Sequence, residues 1–269
     1  MIRKQKETKS ALSKRLGISR ASLYYVSRKI KKDWKLKNQI EVVLKEHPSY
    51  GSPRIALSLK INRKRIVRVM RLFGLKAYRR RCRKPRKTGI SNLIFPNLLK
   101  NRFPEKINDI WIADFTYISY KDKFIYLSTV MDLFSREIVG FSVINNHSVS
   151  LVLQSLFSAL NYHKKPNIFH SDNGKEYGSK IFLRTLNDLG ILISRSAKSS
   201  PWENGYQESF YSQFKIDLGD PNRFKTLGEL VYEIYRLIYN YNHTRIHSVL
   251  KMPPLLFIER YQKLVEKVS

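Results

Sequence analysis

Between residues 109 and 216 the apolar residues change their spacing in a fixed order, and that order leaves few folds open. Residues 109–119 alternate with period two, placing Ile110, Ile112 and Asp114 on one face and Trp111 and Ala113 on the other. Residues 123–131 and 137–144 repeat the alternation, which predicts a three-stranded antiparallel opening. Residues 148–162 predict a helix with Leu151, Leu156 and Leu160 turned inward. A short strand (167–170), a helix (179–189) stopped at Gly190, another strand (191–194) and a last helix (203–216) complete the series. A chain with this order must build an α/β layer structure around one mixed sheet.

Three strands, then helix, strand, helix, strand, helix is the order of the ribonuclease-H-like core. The expectation is therefore a mixed five-stranded sheet with helices, its strand ends and last helix converging on one site. Three acids fall at those positions. Asp114 lies in WIADFTYIS (111–119), Asp172 in HSDNGKEY (170–177) and Glu208 in SPWENGYQESFYSQFK (200–215). Taken singly, each has an ordinary explanation: an ion-paired strand carboxylate, an Asn-Gly turn and a helix-surface glutamate. As an ordered trio they form a set of hard oxygen ligands suited to Mg²⁺, with Mn²⁺ as an alternative ion. About two such ions can activate a nucleophile and stabilise a leaving oxygen at a phosphodiester.

The charge names the polymer. The chain carries a formal net charge of +30, and residues 1–90 hold 29 Lys and Arg against 4 Asp and Glu. Residues 91–269 hold 22 against 17, so the first third reads as a grip on a polyanion and the rest as a near-neutral body. Three segments are expected: a basic helical region (1–77), a basic linker (78–104) and the α/β body (105–269). The body is expected to fold alone and to bind nucleic acid weakly.

In the first segment, SKRLGISRASLYY (13–25) has a Gly17 turn and a Ser19 cap before a second helix starting at Arg20, which reads as a helix-turn-helix. Residues 38–45 and 53–59 predict two more helices. Asn62 caps a helix with Ile66, Val69, Met70 and Phe73 as its apolar stripe, and Gly74 ends it. Arg65 and Arg68 lie on that helix's basic face and, with Arg20, are candidate DNA contacts. The linker YRRRCRKPRKT (78–88) adds Arg79, Arg80, Arg81, Arg83 and Lys84, placed to run along phosphates. Near the acids, Lys215 lies two turns past Glu208 on the same helical face, and Asn204 one turn before it. His170 shares a strand face with Asp172. All three are candidate DNA contacts, although a buried structural role for His170 fits the pattern equally. The polar, Ser-rich stretch 195–202 is expected to be a flap ordered by DNA.

Cys82 is the single cysteine, which excludes an intrachain disulfide and a Cys-based zinc site. No apolar run is long enough to span a membrane and no signal peptide is present, so action in the cytoplasm, at the nucleoid, is expected.

The motifs together carry a family resemblance. HPSYGSPRIALSLKINRKRIVRVMRLFGL (47–75), Trp111 with Asp114, Ser171-Asp172 with Gly174 and Tyr177, PWENG (201–205) leading to Glu208, and Tyr241-Asn242 with Arg245-Ile246-His247 and Pro254 resemble the insertion-sequence transposases with a retroviral-integrase-like core, of the type encoded by a second reading frame. The resemblance covers nearly the whole chain. It implies DNA cleavage and 3′-OH strand transfer at the ends of a mobile element by Asp114, Asp172 and Glu208. It also implies double-stranded DNA as substrate, multimers on paired ends, and a first-reading-frame protein as partner. Two other readings stay open: a metal-dependent nuclease on the same fold, and an inactive DNA-binding regulator from a degenerate element.

Overall fold

The computed structural model describes residues 8–24, 28–78, 95–100, 102–196 and 205–268. The helical part begins with α1 (Lys9–Arg15), a turn of 3₁₀ helix (Arg20–Tyr24), α2 (Arg28–Glu46), α3 (Ser52–Leu59) and α4 (Arg63–Leu72). Asn62 caps α4 by accepting from the Lys64 amide at 2.8 Å, and Gly74 closes the helix with a left-handed φ of 67°. Ile66 and Val69 of α4 meet Leu36, Ile40 and Val43 of α2, with Ile55 of α3 and Tyr50 between them, in one small core.

Two expectations need correction here. The segment after Gly17 is not a second α-helix but the five-residue 3₁₀ turn at Arg20–Tyr24. The Ser19 cap does form, since its hydroxyl accepts from the Ser22 amide at 3.2 Å. The turn itself, RASLY, includes a serine and a tyrosine, weaker helix formers than alanine or leucine. The second correction is α2, which runs from Arg28 rather than starting near residue 38. Its first ten residues are mostly lysine and arginine, good helix formers with little apolar period to announce them.

The body carries β1 (Ile110–Tyr120), β2 (Lys123–Asp132), β3 (Ile138–Ile144), α5 (Val149–Leu160), β4 (Ile168–Ser171), α6 (Lys180–Asp188), β5 (Leu192–Arg195), α7 (Gly205–Leu218), α8 (Leu227–His243) and α9 (Pro254–Val268). A second 3₁₀ turn, Pro221–Arg223, lies between α7 and α8. The sheet order is β3-β2-β1-β4-β5, with β1, β2 and β3 antiparallel and β4 and β5 parallel to β1. This is the mixed five-stranded sheet expected of a ribonuclease-H-like fold.

The period-two alternation of β1 sorts its side chains into two layers. Ile110 and Ile112 join Phe210, Phe214, Leu230 and Ile234 on the α7–α8 face. Trp111 and Ala113 join Val152, Leu156, Phe182 and Leu186 on the α5–α6 face. With both faces covered, the centre of β1 is held on all sides, which fixes where its polar residue can go.

Candidate active site

Asp114 and Asp172 occupy equivalent places on neighbouring strands. The parallel pairing of β1 with β4 ends at Ala113 opposite Ser171, so each aspartate is the first residue past the last pair. Adjacent strands lie about 4.8 Å apart, so the two carboxylates emerge side by side where the strands part. Local backbone geometry holds both. The Phe115 amide donates to Asp114 Oδ1 at 2.8 Å, and the Gly174 amide donates to Asp172 Oδ1 at 2.9 Å. Glu208 stands exposed in the first turn of α7.

The electrostatics record the crowding. Burial pushes the Asp114 carboxyl up to about 7, and the negative charges of Asp172 and Glu208 push the same way. The Phe115 amide and the Lys215 ammonium oppose the rise. Burial also raises Asp172, opposed by the Gly174 amide and by Arg195, and raises Glu208. A carboxylate that repels its neighbours and lacks water lowers its energy by taking up a proton or a cation.

Hard oxygen donors with excess negative charge fit a divalent ion in chemistry. Among the described residues, however, no group of three His, Cys, Asp or Glu side chains closes around a single ion position.

The seating of α7 depends on side chains that carry no motif signal. Gln207 is fully buried; its amide donates to the Ile112 carbonyl at 2.9 Å and accepts from the Thr129 hydroxyl at 3.0 Å. Tyr211, one turn on, donates to the Asp114 carbonyl at 2.6 Å and pairs with the same Thr129 hydroxyl at 2.8 Å. The helix bearing Glu208 is thereby bonded to the backbone of the strand bearing Asp114. Arg195, at the end of β5 and level with Ser171, carries no motif signal either, and it holds the segment after Asp172 rather than α7. It is 2 % exposed, donates to the Asp172 carbonyl at 2.9 Å and to the Tyr177 carbonyl, and stands over the Phe95 ring. The one available hint was an arginine directly after an apolar strand, where a surface loop was expected to begin.

The other expected residues divide. Lys215 sits on α7 as expected, its ammonium 5.1 Å from the centre of the Tyr117 ring and close enough to Asp114 to act on its charge. Arg20 and Arg65 are exposed. His170 is corrected: it is fully buried, with Nδ1 2.9 Å from the Ser194 hydroxyl, so it braces β4 against β5 and cannot touch a phosphate from there. Arg68, like Arg20 and Arg65, is exposed, and it is ion-paired at 2.5 Å to the buried Asp33, which bonds α4 to α2. The expected flap is buried at its first two residues, Arg195 and Ser196. Its remainder, Asn204, and the linker residues Arg79, Arg80, Arg81, Arg83 and Lys84 lie outside the described residues.

Comparison with known proteins agrees with this architecture. Two models of the integrase core domain match residues 104–201 and 189–254. The chain is 34% identical over 238 residues to the transposase for insertion sequence element IS904 of Lactococcus lactis subsp. lactis (strain IL1403), spanning 84% of this chain and 94% of that protein. It is 28% identical to the transposase for insertion sequence element IS629 of Shigella sonnei, over 80% of this chain and 75% of that one. Among solved structures, a chain of the simian T-cell lymphotropic virus intasome in complex with PP2A regulatory subunit B56 gamma superposes with a TM-score of 0.50. That match has 17% sequence identity and covers 77% of this chain and 70% of that chain, a likeness of fold. With the sheet order, the paired aspartates and a relative matched along almost its whole length, the chain belongs to the insertion-sequence transposases with an integrase core domain.

Proposed function

We propose that Asp114, Asp172 and Glu208 are the catalytic carboxylates of this transposase, cutting DNA at the ends of a mobile element and joining the freed 3′-OH to a second phosphodiester. The observation that carries the reading is the register: Asp114 and Asp172 side by side where β1 and β4 part, with Glu208 on a helix bonded to the Asp114 carbonyl. Bound Mg²⁺, as about two ions with Mn²⁺ able to replace it, would supply an activated water or hydroxyl and stabilisation of the leaving oxygen. Asp114, Asp172 and Glu208, the last exposed in the first turn of α7, are the residues that would hold the ions. Lys215 holds a phosphate beside the scissile bond, on the face it shares with Glu208. Gln207, Tyr211 and Arg195 touch no substrate; they fix the backbones from which the carboxylates project. Cutting and joining both displace an oxygen at phosphorus in line, so one arrangement serves both steps.

The basic exposed face of α4, including Arg65, together with Arg20 and the linker cations, supplies most of the duplex affinity. The protein works as a homo-oligomer on paired ends, in the cytoplasm at the nucleoid, with the first-reading-frame product of the same element as a partner. No described helix is long and apolar enough to cross a membrane.

The test is Asp114→Asn, Asp172→Asn and Glu208→Gln, each assayed for cleavage, strand transfer and duplex binding. All three should lose both reactions and keep binding. Mg²⁺-dependent turnover surviving in any one removes that residue from the site. A nuclease without joining activity would cut but fail to transfer a pre-cut 3′-OH end.

A further inference from the structure

Two sequence motifs remain without a task in the chemistry above: His47-Pro48-Ser49-Tyr50-Gly51 and Arg245-Ile246-His247. They are nearly two hundred residues apart, yet they close on each other against one side of α7. Arg245 is 5 % exposed. Its guanidinium donates to the Ser49 hydroxyl at 2.6 Å, to Gln213 Oε1 at 2.5 Å and to the Asp217 carboxylate. Arg54 donates to the same Gln213 oxygen at 2.8 Å, and Ser49 donates to Asp217 at 3.2 Å. Tyr50, 1 % exposed, has the guanidinium groups of Arg245 and Arg54 at 5.5 and 5.6 Å from its ring centre and accepts from the Ile246 amide at 2.7 Å. His47 stacks on the Tyr50 ring at 4.4 Å. Ile246 itself packs into the core of α2, α3 and α4.

Gln213 and Asp217 are one turn apart on α7, and Glu208 is five residues before Gln213, about 7.5 Å along the axis at 1.5 Å per residue. The same helix is fastened to β1 and β2 by Gln207 and Tyr211. A continuous line of partly buried polar bonds therefore runs from the basic helical part, through Arg245, to the helix that presents Glu208.

We propose that this socket, with Arg245 as its hub, is a positioning device that selects which phosphodiester is cut. The proposal rests on the catalytic reading above. If α2–α4 grip the element end and the socket is stiff, the distance from grip to carboxylates is fixed, and one bond is presented. Successive phosphates of one strand rise about 3.4 Å along the duplex axis, so a shift of the duplex by one base step between the two parts brings the neighbouring bond into place. A group that acts only on folding alters how much protein is active, not where it cuts.

The experiment uses the full chain and an end-labelled duplex carrying the element terminus, with Mg²⁺ and single-nucleotide mapping of the cuts. The variants are Arg245→Gln, Arg245→Lys and Tyr50→Phe; the last removes one hydroxyl and keeps the protein testable if loss of a buried arginine prevents folding. Wild type should cut one bond. Arg245→Gln and Tyr50→Phe should spread cutting over adjacent bonds, raising the off-position share at least fivefold with duplex affinity unchanged within twofold, and Arg245→Lys should recover part of the precision. A single unshifted cut in both Arg245→Gln and Tyr50→Phe, at whatever rate, overturns the socket and leaves the catalytic reading standing. Cuts that persist in Asp114→Asn overturn the catalytic reading instead.

Discussion

Replacing Gln207 with leucine tests whether the seating of α7 is catalytic in consequence or only structural. The swap is close in volume, so no cavity opens. It removes the amide that donates to the Ile112 carbonyl at 2.9 Å and accepts from the Thr129 hydroxyl at 3.0 Å; a third approach, to the Thr129 carbonyl at 3.4 Å, is too long to count for much. The Thr129 hydroxyl keeps Tyr211 as a partner, so only the carbonyl side loses a donor outright. Two buried bonds at about 1 kcal/mol each give a loss of about 2 kcal/mol. For a chain of this size that is a fall in Tm of about 4–8 °C. Against a typical stability of about 5–15 kcal/mol, more than 99% of the variant stays folded at 25 °C. A purely structural Gln207 therefore leaves the rate unchanged. A displacement of about 1 Å at Glu208, the next residue, costs about 100-fold in rate. Urea unfolding and Mg²⁺-dependent cleavage on the same preparation separate the two. A stability loss of the stated size with cleavage within threefold of wild type refutes the argument.

Three further outcomes are expected. Lys215→Ala should lose strand transfer more than tenfold while gel-shift affinity changes less than threefold, because one phosphate among many contributes little to binding but a misplaced scissile group slows reaction; equal losses would make it a general electrostatic contact. His47 is held at about 4 by burial and by the charges of Arg245 and Arg54, and His247 is lowered to about 4 by burial and by surrounding arginines and a lysine. Both docked values lie below the free imidazole, so their contribution is complete above about pH 6.5 and is lost as pH falls toward 4. NMR titration should find both rings neutral at pH 5.5, and midpoints near 6.5 would contradict the buried socket. Gly140→Ala should destabilise by about 3 kcal/mol in urea, because its Cβ would lie 2.5 Å from backbone atoms of Ser155 and Ala159 on α5; a neutral result would mean that α5 is free to retreat.

What could be read from the chain alone followed the periodicities. The two faces of β1, the Asn62 cap, the Gly74 stop and the order of elements all repeat a spacing or occupy a turn position that physics restricts. The three acids were visible because each lies in its own local string. The rest was hidden for a common reason: it consists of single polar residues bonded across long sequence distances. Gln207 looks like a surface glutamine, and Arg195 like the first residue of a loop. Arg245 and Asp217 look like two solvated charges, although they meet across 28 residues in a nearly dry pocket. His170 misled in the opposite direction, since adjacency to Asp172 suggested a ligand-facing ring where the strand needed a brace. The length of α2 was missed because lysine-rich helix and lysine-rich coil differ little in pattern until Leu36, Ile40 and Val43 meet a partner.

Helix α7 is engaged on several sides at once. One surface shows Glu208 and Lys215 to solvent and another locks Gln207 and Tyr211 into the sheet. Phe210 and Phe214 fill the core under α8, and Gln213 and Asp217 hold the basic helical part. Substitutions along this helix thus answer to several separate requirements at once, and few residues satisfy them all. Drift that lets related elements acquire new termini and new targets must occur elsewhere, on the basic face of α4 and the exposed sides of α5 and α6. A saturation-mutagenesis map of transposition should show residues 207–217 as the least tolerant unbroken stretch of the chain.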